Sequence, residues 1–170
     1  PANGQVHNLG EFYDEVADAG KHVHAAFTLD DGSRIAYSDP RRFGFADLMA
    51  DAEMETHKLL QGIGPEPLGN EFNAAHLAKQ FHGKKAPLKA ALLDQHVVAG
   101  LGNIYVSEIL HRSGLRPVRA AKSVKAEKLD LIIRHTRSVL EEAILAGGST
   151  LQDFAHADGS QGAFQQRFLV

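Results

Sequence analysis

The 170-residue sequence predicts an α+β fold that is mainly α-helical. Two short apolar runs, residues 23–29 and 34–37, are joined through Asp31-Gly32, and this dipeptide is a strong hairpin signal. Later in the chain, apolar residues follow helical spacing, over the longest stretch at residues 126–146. A two-stranded hairpin is marginal by itself. The sequence therefore predicts the remnant of a larger β-domain followed by a helical domain.

Capping residues divide the helical part of the chain. Asn73 can cap one helix, Pro87 suits the first turn of the next, and Gly114 and Gly147-Gly148 close the last two. A short acidic helix precedes these four. The expected helices are residues 51–61, 74–81, 87–93, 104–113 and 126–146.

The composition excludes several classes of protein. No cysteine is present, which excludes disulfides, a thiolate nucleophile and a cysteine-ligated metal within this sequence. With 44% hydrophobic and 23% charged residues, the chain is globular rather than disordered. No apolar run approaches the roughly 20 residues that span a bilayer, and residues 1–20 do not resemble a signal peptide. We expect a cytoplasmic monomer with no membrane partner.

Charge is unevenly distributed along the chain. The net charge is −3, yet residues 79–125 carry nine basic and only two acidic side chains. A basic block inside an acidic protein is an electrostatic footprint for a polyanion. A solvated face that is basic by chance is the alternative, and charge alone does not separate the two. The basic residues are Lys79, Lys84, Lys85, Lys89, Arg112, Arg116, Arg119, Lys122 and Lys125.

Two glycines, Gly100 and Gly102, precede the predicted helix at residues 104–113. Without a Cβ, this backbone can turn sharply and approach another chain closely. The first amides of a helix are unpaired and carry the positive end of its dipole, so they can bind a phosphate. Asn103 can add a side-chain donor. Alternatively, Asn103 caps its own helix at an ordinary corner between two helices.

The run DPRRFG, residues 39–44, follows the hairpin and places Arg41 beside Phe43 at a loop tip. An aromatic ring can fill a gap in a base stack while a guanidinium binds an unpaired base edge. The alternative is an ion pair between Asp39 and an arginine, with Phe43 in the core.

Residues 147–162 are rich in glycine and hydroxyl side chains and have no apolar period. This composition indicates a mobile loop, or alternatively a plain interdomain linker.

His22 and His24 lie two residues apart on one face of the predicted first strand. Because no third ligand is evident nearby, the sequence predicts no metal site there.

Taken together and in order, these stretches resemble the formamidopyrimidine-DNA glycosylases, bacterial base-excision-repair enzymes for oxidised purines. The stretch around GLGNIY resembles the helix–two-turn–helix motif of that family. Endonuclease VIII shares this motif, but GNIYVSE and DPRRFG are more similar to the formamidopyrimidine branch. The matching segments are residues 21–37, 39–44, 64–69, 92–117 and 147–165.

Departures from the family pattern predict that the chain is a middle fragment. The family begins P-E-L-P-E, where the proline is the Schiff-base nucleophile and the next glutamate a general acid, whereas residues 1–4 here read PANG. The family's β-sandwich lysine, its H-L-G-M-S-G stretch and its four-cysteine zinc finger are absent from this sequence. The resemblance therefore implies no catalytic residue and no metal ligand here, with zinc only in the longer protein. We expect the 170-residue chain alone to be inactive.

The resemblance also implies roles for individual residues. His22 matches a DNA-contacting histidine, Arg41 the arginine that reads the orphaned cytosine, and Phe43 the aromatic wedge. Lys84 matches a phosphate-contacting lysine, and Asn103 an asparagine on the phosphate of the flipped nucleotide. The implied DNA-binding set is His22, Arg41, Phe43, Lys84, Gly100, Gly102 and Asn103. Ser149 and Thr150 match the start of the base-capping loop, where Ala163 stands in place of the family's usual tyrosine.

Three regions follow from the resemblance. Residues 1–48 are the end of the β-sandwich catalytic domain, residues 49–146 the helical DNA-binding domain, and residues 147–170 the base-capping loop and the start of the zinc-finger region. The longer protein is expected to bind double-stranded DNA containing an oxidised purine or an abasic site in the bacterial cytoplasm, at the nucleoid. It would excise 8-oxoguanine and formamidopyrimidines and cleave the strand by β,δ-elimination. A non-catalytic helical DNA-binding module is the alternative.

Overall fold

A computed structural model of the chain describes residues 22–149 and 162–170. The chain divides into two compact units, Pro1–Met54 and Glu55–Val170. We call them the hairpin unit and the helical unit, and each is described by itself.

The hairpin unit contains two antiparallel strands, β1 (Val23–Thr28) and β2 (Arg34–Ser38). The Asp31 carboxylate closes the turn between them, because it accepts hydrogen bonds from the backbone N–H of Ser33 (2.8 Å) and from its hydroxyl (2.6 Å). Gly32 has a φ of +81°, the left-handed conformation that glycine adopts without steric cost. The hairpin predicted at Asp31-Gly32 is confirmed.

A bulge in β1 changes the position of the two histidines. Val23 pairs with Ser38 and Ala25 with Tyr37, so His24 is the extra residue between two registers. His22 precedes the strand. The expectation that the two histidines share one strand face is therefore wrong, since a bulge interrupts the alternation of side chains.

The acidic helix predicted over residues 51–61 is not formed. Only Asp51–Glu53 make a single 3₁₀ turn, with no buried residue and no basic residue in its last turn. Leu59 and Leu60 are each 40% exposed. A helix this short is marginal in water unless one face packs against other elements. The helical pattern from residue 50 onward predicted a short acidic helix here, but no packed face stabilises it.

The helical unit contains four α-helices in its described residues: α1 (Ala74–Phe81), α2 (Leu88–Leu93), α3 (Asn103–Arg112) and α4 (Ala126–Leu145). α1 begins as predicted, since the Asn73 side chain accepts a hydrogen bond from the His76 N–H (3.0 Å). α4 is followed by Gly147 and Gly148, both with positive φ. Shorter 3₁₀ turns lie at Ala121–Ser123 and Phe164–Arg167. The mainly helical α+β class is confirmed.

One apolar core holds the helical unit together. α4 packs against α1 and α3, and α2 packs against α3. Burial of each large apolar side chain stabilises the fold by about 1.5–3 kcal/mol. Val97, Val98 and Leu101 belong to this core, so the loop between α2 and α3 is packed into it. The largest fully buried apolar side chains are Phe72, Leu77, Leu88, Leu92, Val97, Val98, Val106, Ile109, Leu110, Ile132 and Phe164.

Candidate nucleic-acid interface

The α2–α3 loop, residues 94–102, is cross-linked by one side chain. The Gln95 Oε1 accepts from the Gly100 N–H (2.7 Å), while its Nε2 donates to the carbonyls of Leu93 (3.1 Å) and Leu101 (3.2 Å). Gly100 takes a φ of +71° in this turn. The Gly100 N–H is therefore already hydrogen-bonded and is not available to an anion. The predicted anion-binding site is thus confined to the start of α3. Sequence reasoning missed Gln95, whose only signal is an amide side chain shortly before the glycine turn.

Two histidines fasten the same loop to the rest of the helical unit. The His76 Nε2–H donates to the Val97 carbonyl (2.7 Å), and the His96 Nδ1–H donates to the Gly62 carbonyl (2.7 Å). Gly64 passes so close to the loop that a Cβ there would lie 2.7–2.9 Å from backbone atoms of residues 96–98. The loop is therefore rigid, and it presents the start of α3 in one orientation.

The geometry at the start of α3 distinguishes the two roles considered for Asn103, which are phosphate binding and capping of its own helix. Gly102 is the N-cap, and the N-cap position makes no side-chain hydrogen bond. Asn103 is the first helical residue and is exposed. The capping alternative is therefore wrong, since a residue inside the first turn cannot fold back as an N-cap does. Its side-chain amide lies beside the free N–H groups that begin every helix.

Two lysines form hydrogen bonds with the α2–α3 loop and with α3. Lys89 Nζ donates to the Ser107 hydroxyl (3.0 Å), which in turn donates to the Asn103 carbonyl (2.8 Å). Lys84 Nζ instead donates to Asp94 Oδ2 (2.8 Å), where the loop begins. That hydrogen bond is the main cause of the lowered pKa of Asp94. The resemblance implies a role for Lys84, whereas in the structure it is Lys89 that is connected, through Ser107, to Asn103 in the first turn of α3.

Arg112, which the sequence placed among the free basic residues, lies in a buried charge network. Its Nε donates to Glu108 Oε1 (2.8 Å), and its two terminal nitrogens bind the Glu142 carboxylate (2.7 and 3.0 Å). The Arg112 side chain is only 14% exposed and Glu108 is fully buried. These hydrogen bonds, above all those that Arg112 donates to Glu142, raise the pKa of Arg112. The exposed cations of the block are Lys79, Lys85, Arg116, Arg119, Lys122 and Lys125.

In the hairpin unit, the DPRRFG turn presents an arginine and an aromatic ring to solvent. Phe43 is 78% exposed, and the Arg41 guanidinium lies over its ring, 4.9 Å from the centroid. The Asp39 carboxylate accepts from the backbone N–H groups of Arg41 (3.1 Å), Arg42 (2.9 Å) and Gly44 (2.7 Å). The alternative with Phe43 in the core and Asp39 paired to an arginine is therefore wrong.

His22 lies beside this turn. The residue is exposed, and its carbonyl accepts from the Asp39 N–H (2.9 Å). The structure thus brings His22, Arg41 and Phe43 together in the hairpin unit. In the helical unit, Gly100, Gly102 and Asn103 lie at the end of the α2–α3 loop and the start of α3, and Lys84 is bonded to Asp94 at the beginning of that loop.

The two ends of the predicted base-capping loop meet in the helical unit. Ser149 forms an antiparallel bridge with Ala163, and the Phe164 N–H donates to the Gly148 carbonyl (3.0 Å). The Phe164 ring is fully buried, 5.8 Å from the Tyr105 ring of α3 between centroids. The base of the loop is therefore fixed to the helix that carries Asn103. Thr150 and the rest of the loop lie outside the described residues.

Two classes of feature are not found in the part of the chain that the structure describes. Residues 22–149 and 162–170 contain no group of three or more His, Asp or Glu side chains arranged to hold a metal ion. Over the same residues, no helix has both the length and the apolar character that crossing a bilayer requires.

Two helices joined by a fixed glycine-containing loop, with an open helix start, define a helix–two-turn–helix domain. Residues 63–155 match the family model described as the formamidopyrimidine-DNA glycosylase H2TH domain, and the chain belongs to this family.

Whole relatives carry the same family name. The chain is 51% identical over 162 residues to a formamidopyrimidine-DNA glycosylase from Ruegeria pomeroyi, which covers 95% of this chain and 57% of the relative. It is 49% identical over 178 residues to one from Methylobacterium sp. strain 4-46, covering 99% and 59%. The chain thus spans somewhat more than half the length of these curated relatives.

Solved structures show the same fold. The MutM (Fpg) protein from Thermus thermophilus aligns with a TM-score of 0.81 at 39% identity, over 88% of this chain and 56% of that one. The Lactococcus lactis Fpg in complex with DNA containing an abasic site aligns with a TM-score of 0.77 at 30% identity, over 88% and 54%.

Proposed function

We propose that this chain is the DNA-gripping part of a formamidopyrimidine-DNA glycosylase that excises oxidised purines from double-stranded DNA and cleaves the abasic strand. Family membership and the DNA-bound state of the Lactococcus lactis neighbour support this proposal. The observation that carries it is the start of α3, where an exposed asparagine amide lies beside an open helix N-terminus on a rigid loop.

A DNA phosphate suits this helix start for three physical reasons. The first N–H groups of α3 are unpaired and aligned with the positive end of the helix dipole. The Asn103 amide adds a donor that no capping role consumes. Lys89 supplies a positive charge next to the first turn, where it is hydrogen-bonded to Ser107. Lys84 lies at the start of the loop, but its charge is compensated by Asp94. Charge-assisted hydrogen bonds to an anion are the strong ones.

The hairpin unit would contact the bases. An exposed ring such as that of Phe43 can enter the space that a flipped nucleotide leaves, and the stacked guanidinium of Arg41 can bind the base left unpaired. His22, beside them, would contact the backbone of the same DNA.

Chemistry in the longer protein would follow the course that the family resemblance implies. An N-terminal amine would attack C1′ of the flipped nucleotide and displace the damaged base. The sugar ring then opens to a Schiff base, and β- and δ-elimination cleave the strand. The residues of this chain would hold the phosphate, fill the gap and carry the base of the capping loop at Ser149 and Ala163. A zinc finger belongs to the longer protein in this proposal, and no step here depends on it. Its DNA substrate would place the protein at the nucleoid in the bacterial cytoplasm.

Asn103→Asp tests the phosphate contact. The change sets a negative charge against the phosphate and leaves the N-cap at Gly102 untouched. We expect binding to a duplex with a tetrahydrofuran abasic analogue, measured by fluorescence anisotropy, to weaken by about tenfold or more. Asn70→Asp, the same charge change at another exposed asparagine, should leave affinity within about twofold. Equal affinity of Asn103→Asp and the parent chain would contradict the proposal.

The salt dependence of binding tests the two lysines. Each phosphate that a lysine neutralises contributes about −0.9 to the slope of log K against log salt. Lys89→Ala should flatten that slope by about one unit. Lys84→Ala should flatten it by less, because Lys84 is already paired with Asp94. Arg112→Lys should leave it unchanged, because Arg112 is already paired with Glu142. A slope near zero for the parent chain would overturn the nucleic-acid function as a whole.

A further inference from the structure

We propose that Asp39 is a positioning residue. Its carboxylate fixes the backbone conformation of the turn that carries Arg41 and Phe43, so that both side chains are aligned before DNA binds. The inference rests on the proposed function of Arg41 and Phe43 in contacting DNA bases. It adds a residue that itself touches neither base nor phosphate.

The Asp39 carboxylate is the centre of the DPRRFG turn. Oδ1 accepts from the backbone N–H groups of Arg41 (3.1 Å) and Arg42 (2.9 Å). Oδ2 accepts from the Gly44 N–H (2.7 Å) and from the Tyr37 hydroxyl (3.3 Å). A carboxylate offers about four lone-pair positions, and here all of them have a donor. One side chain therefore fixes the backbone on both sides of Phe43.

The main chain of Asp39 anchors this centre to the start of the hairpin. Its N–H donates to the His22 carbonyl (2.9 Å), and its carbonyl accepts from the Nε2–H of the bulged His24 (2.9 Å). The turn is therefore attached to the hairpin through both the backbone N–H and the backbone carbonyl of Asp39. The bulge that interrupts the strand register supplies one of these two attachments.

Arg42 has a backbone conformation that needs this support, and Gly44 lies in close contact with the Asp39 carboxylate. Arg42 has a φ of +56°, the left-handed region that residues other than glycine seldom occupy. The bond from its N–H to Asp39 helps to hold it there. At Gly44 a Cβ would overlap the Tyr37 hydroxyl, so any larger residue there would displace the Tyr37 side chain from the Asp39 carboxylate. The Gly44 N–H is also the main cause of the lowered pKa of Asp39, which stays ionised at neutral pH.

An aligned pair binds more tightly than a mobile one, because less conformational entropy is lost when the DNA arrives. The Phe43 ring is exposed, and it contacts the Arg41 guanidinium stacked on it at 4.9 Å. The position of both side chains is therefore set by the turn beneath them, which depends on Asp39.

Asp39→Asn provides the test. The amide has the same shape but one acceptor oxygen, and its NH₂ faces a donor at either the Gly44 or the Arg42 side. The probe is a duplex with a tetrahydrofuran abasic analogue and 2-aminopurine at the neighbouring base, whose fluorescence rises when a wedge unstacks it. We expect Asp39→Asn to lose more than about half of the fluorescence change at saturating protein and to bind about tenfold more weakly.

A matched control separates positioning from general loosening of the hairpin. Asp31→Asn removes the carboxylate that closes the β1–β2 turn through Ser33. It should weaken the hairpin but keep the fluorescence change at saturation. If Asp31→Asn and Asp39→Asn reduce that change equally, Asp39 acts only on hairpin stability and the inference is wrong.

Phe43→Ala distinguishes this inference from the proposed function. Loss of the fluorescence change in Phe43→Ala but not in Asp39→Asn would overturn the positioning role and leave the wedge role standing. A parent chain that binds the duplex with no fluorescence change would overturn the wedge role, and the positioning role with it. Loss in both variants, with the change retained in Asp31→Asn, supports the inference.

Discussion

The two units of this chain hold their candidate DNA contacts in different ways. In the helical unit, the loop before Asn103 is fixed by apolar residues such as Val97 and Val98, which are almost completely buried. In the hairpin unit, none of the described residues 22–54 is fully buried, and one carboxylate, that of Asp39, organises the exposed turn. A packed core distributes its support over many contacts, whereas a turn concentrates it in a few hydrogen bonds. The same substitution should therefore have different consequences in the two units.

Phe164→Ala should cause the largest loss of stability. The ring is fully buried between Tyr105 and Phe168, so its removal leaves a cavity in the core. Truncation of a buried phenylalanine costs about 3–5 kcal/mol, and we expect about 4 kcal/mol in urea denaturation followed by far-ultraviolet circular dichroism. A loss under about 1 kcal/mol would show that the segment after the capping loop is not part of the core.

Arg112→Met should cause the second-largest loss of stability, about 3 kcal/mol. The substitution leaves the fully buried Glu108 carboxylate without its cation, and an uncompensated buried charge costs about 3–5 kcal/mol. We take the lower end because Glu142 is 36% exposed. The measurement is the same urea titration.

A second substitution tests this explanation. In Arg112→Met/Glu108→Gln the buried charge is removed, and the glutamine oxygen can still accept from the Leu169 N–H, which lies 3.0 Å from the Glu108 carboxylate. Part of the lost stability should return. A double variant less stable than Arg112→Met would show that packing, rather than charge, explains the effect.

Asn73→Ala should have a smaller effect, about 1 kcal/mol, because it removes one N-cap hydrogen bond at the start of α1. Asn73→Ser keeps a capping oxygen and should recover most of the stability. Thermal unfolding of both variants gives the comparison. If the serine and alanine variants are equally destabilised, loss of the hydrogen bond from the His76 N–H does not explain the effect.

The elements that sequence reasoning predicted correctly are those with local signals. Asn73, Pro87 and Asp31-Gly32 lie next to the boundaries they set, so helix starts and the hairpin turn follow from a few neighbouring residues. The helix predicted over residues 51–61 failed because a helical pattern does not reveal whether a packing partner exists.

The candidate site was less predictable because its contacts join distant residues. The sequence predicts a free cation at Arg112, but in the structure its guanidinium donates hydrogen bonds to Glu142, 30 residues later. The spacing of Glu108 and Arg112 suggests an i,i+4 pair but does not show that it is buried. The Gln95 cross-link has no sequence pattern of its own. The roles of Lys84 and Asn103 in DNA binding remain predictions that the affinity measurements test.

Phe27→Ala should have the smallest effect and completes the comparison with Phe164→Ala. Phe27 pairs with Ile35 across the hairpin, and each side chain is 54% exposed. A cross-strand pair of this kind contributes about 0.2–1 kcal/mol, so we expect a loss of about 0.5 kcal/mol. Hydrogen exchange of the β1 and β2 amides measures it separately from the helical unit, and their exchange should rise by about twofold while the α3 amides stay unchanged. If Phe27→Ala costs as much as Phe164→Ala, the apolar side of the hairpin is covered in the folded protein, and the contrast between a core and a hydrogen-bonded turn does not hold.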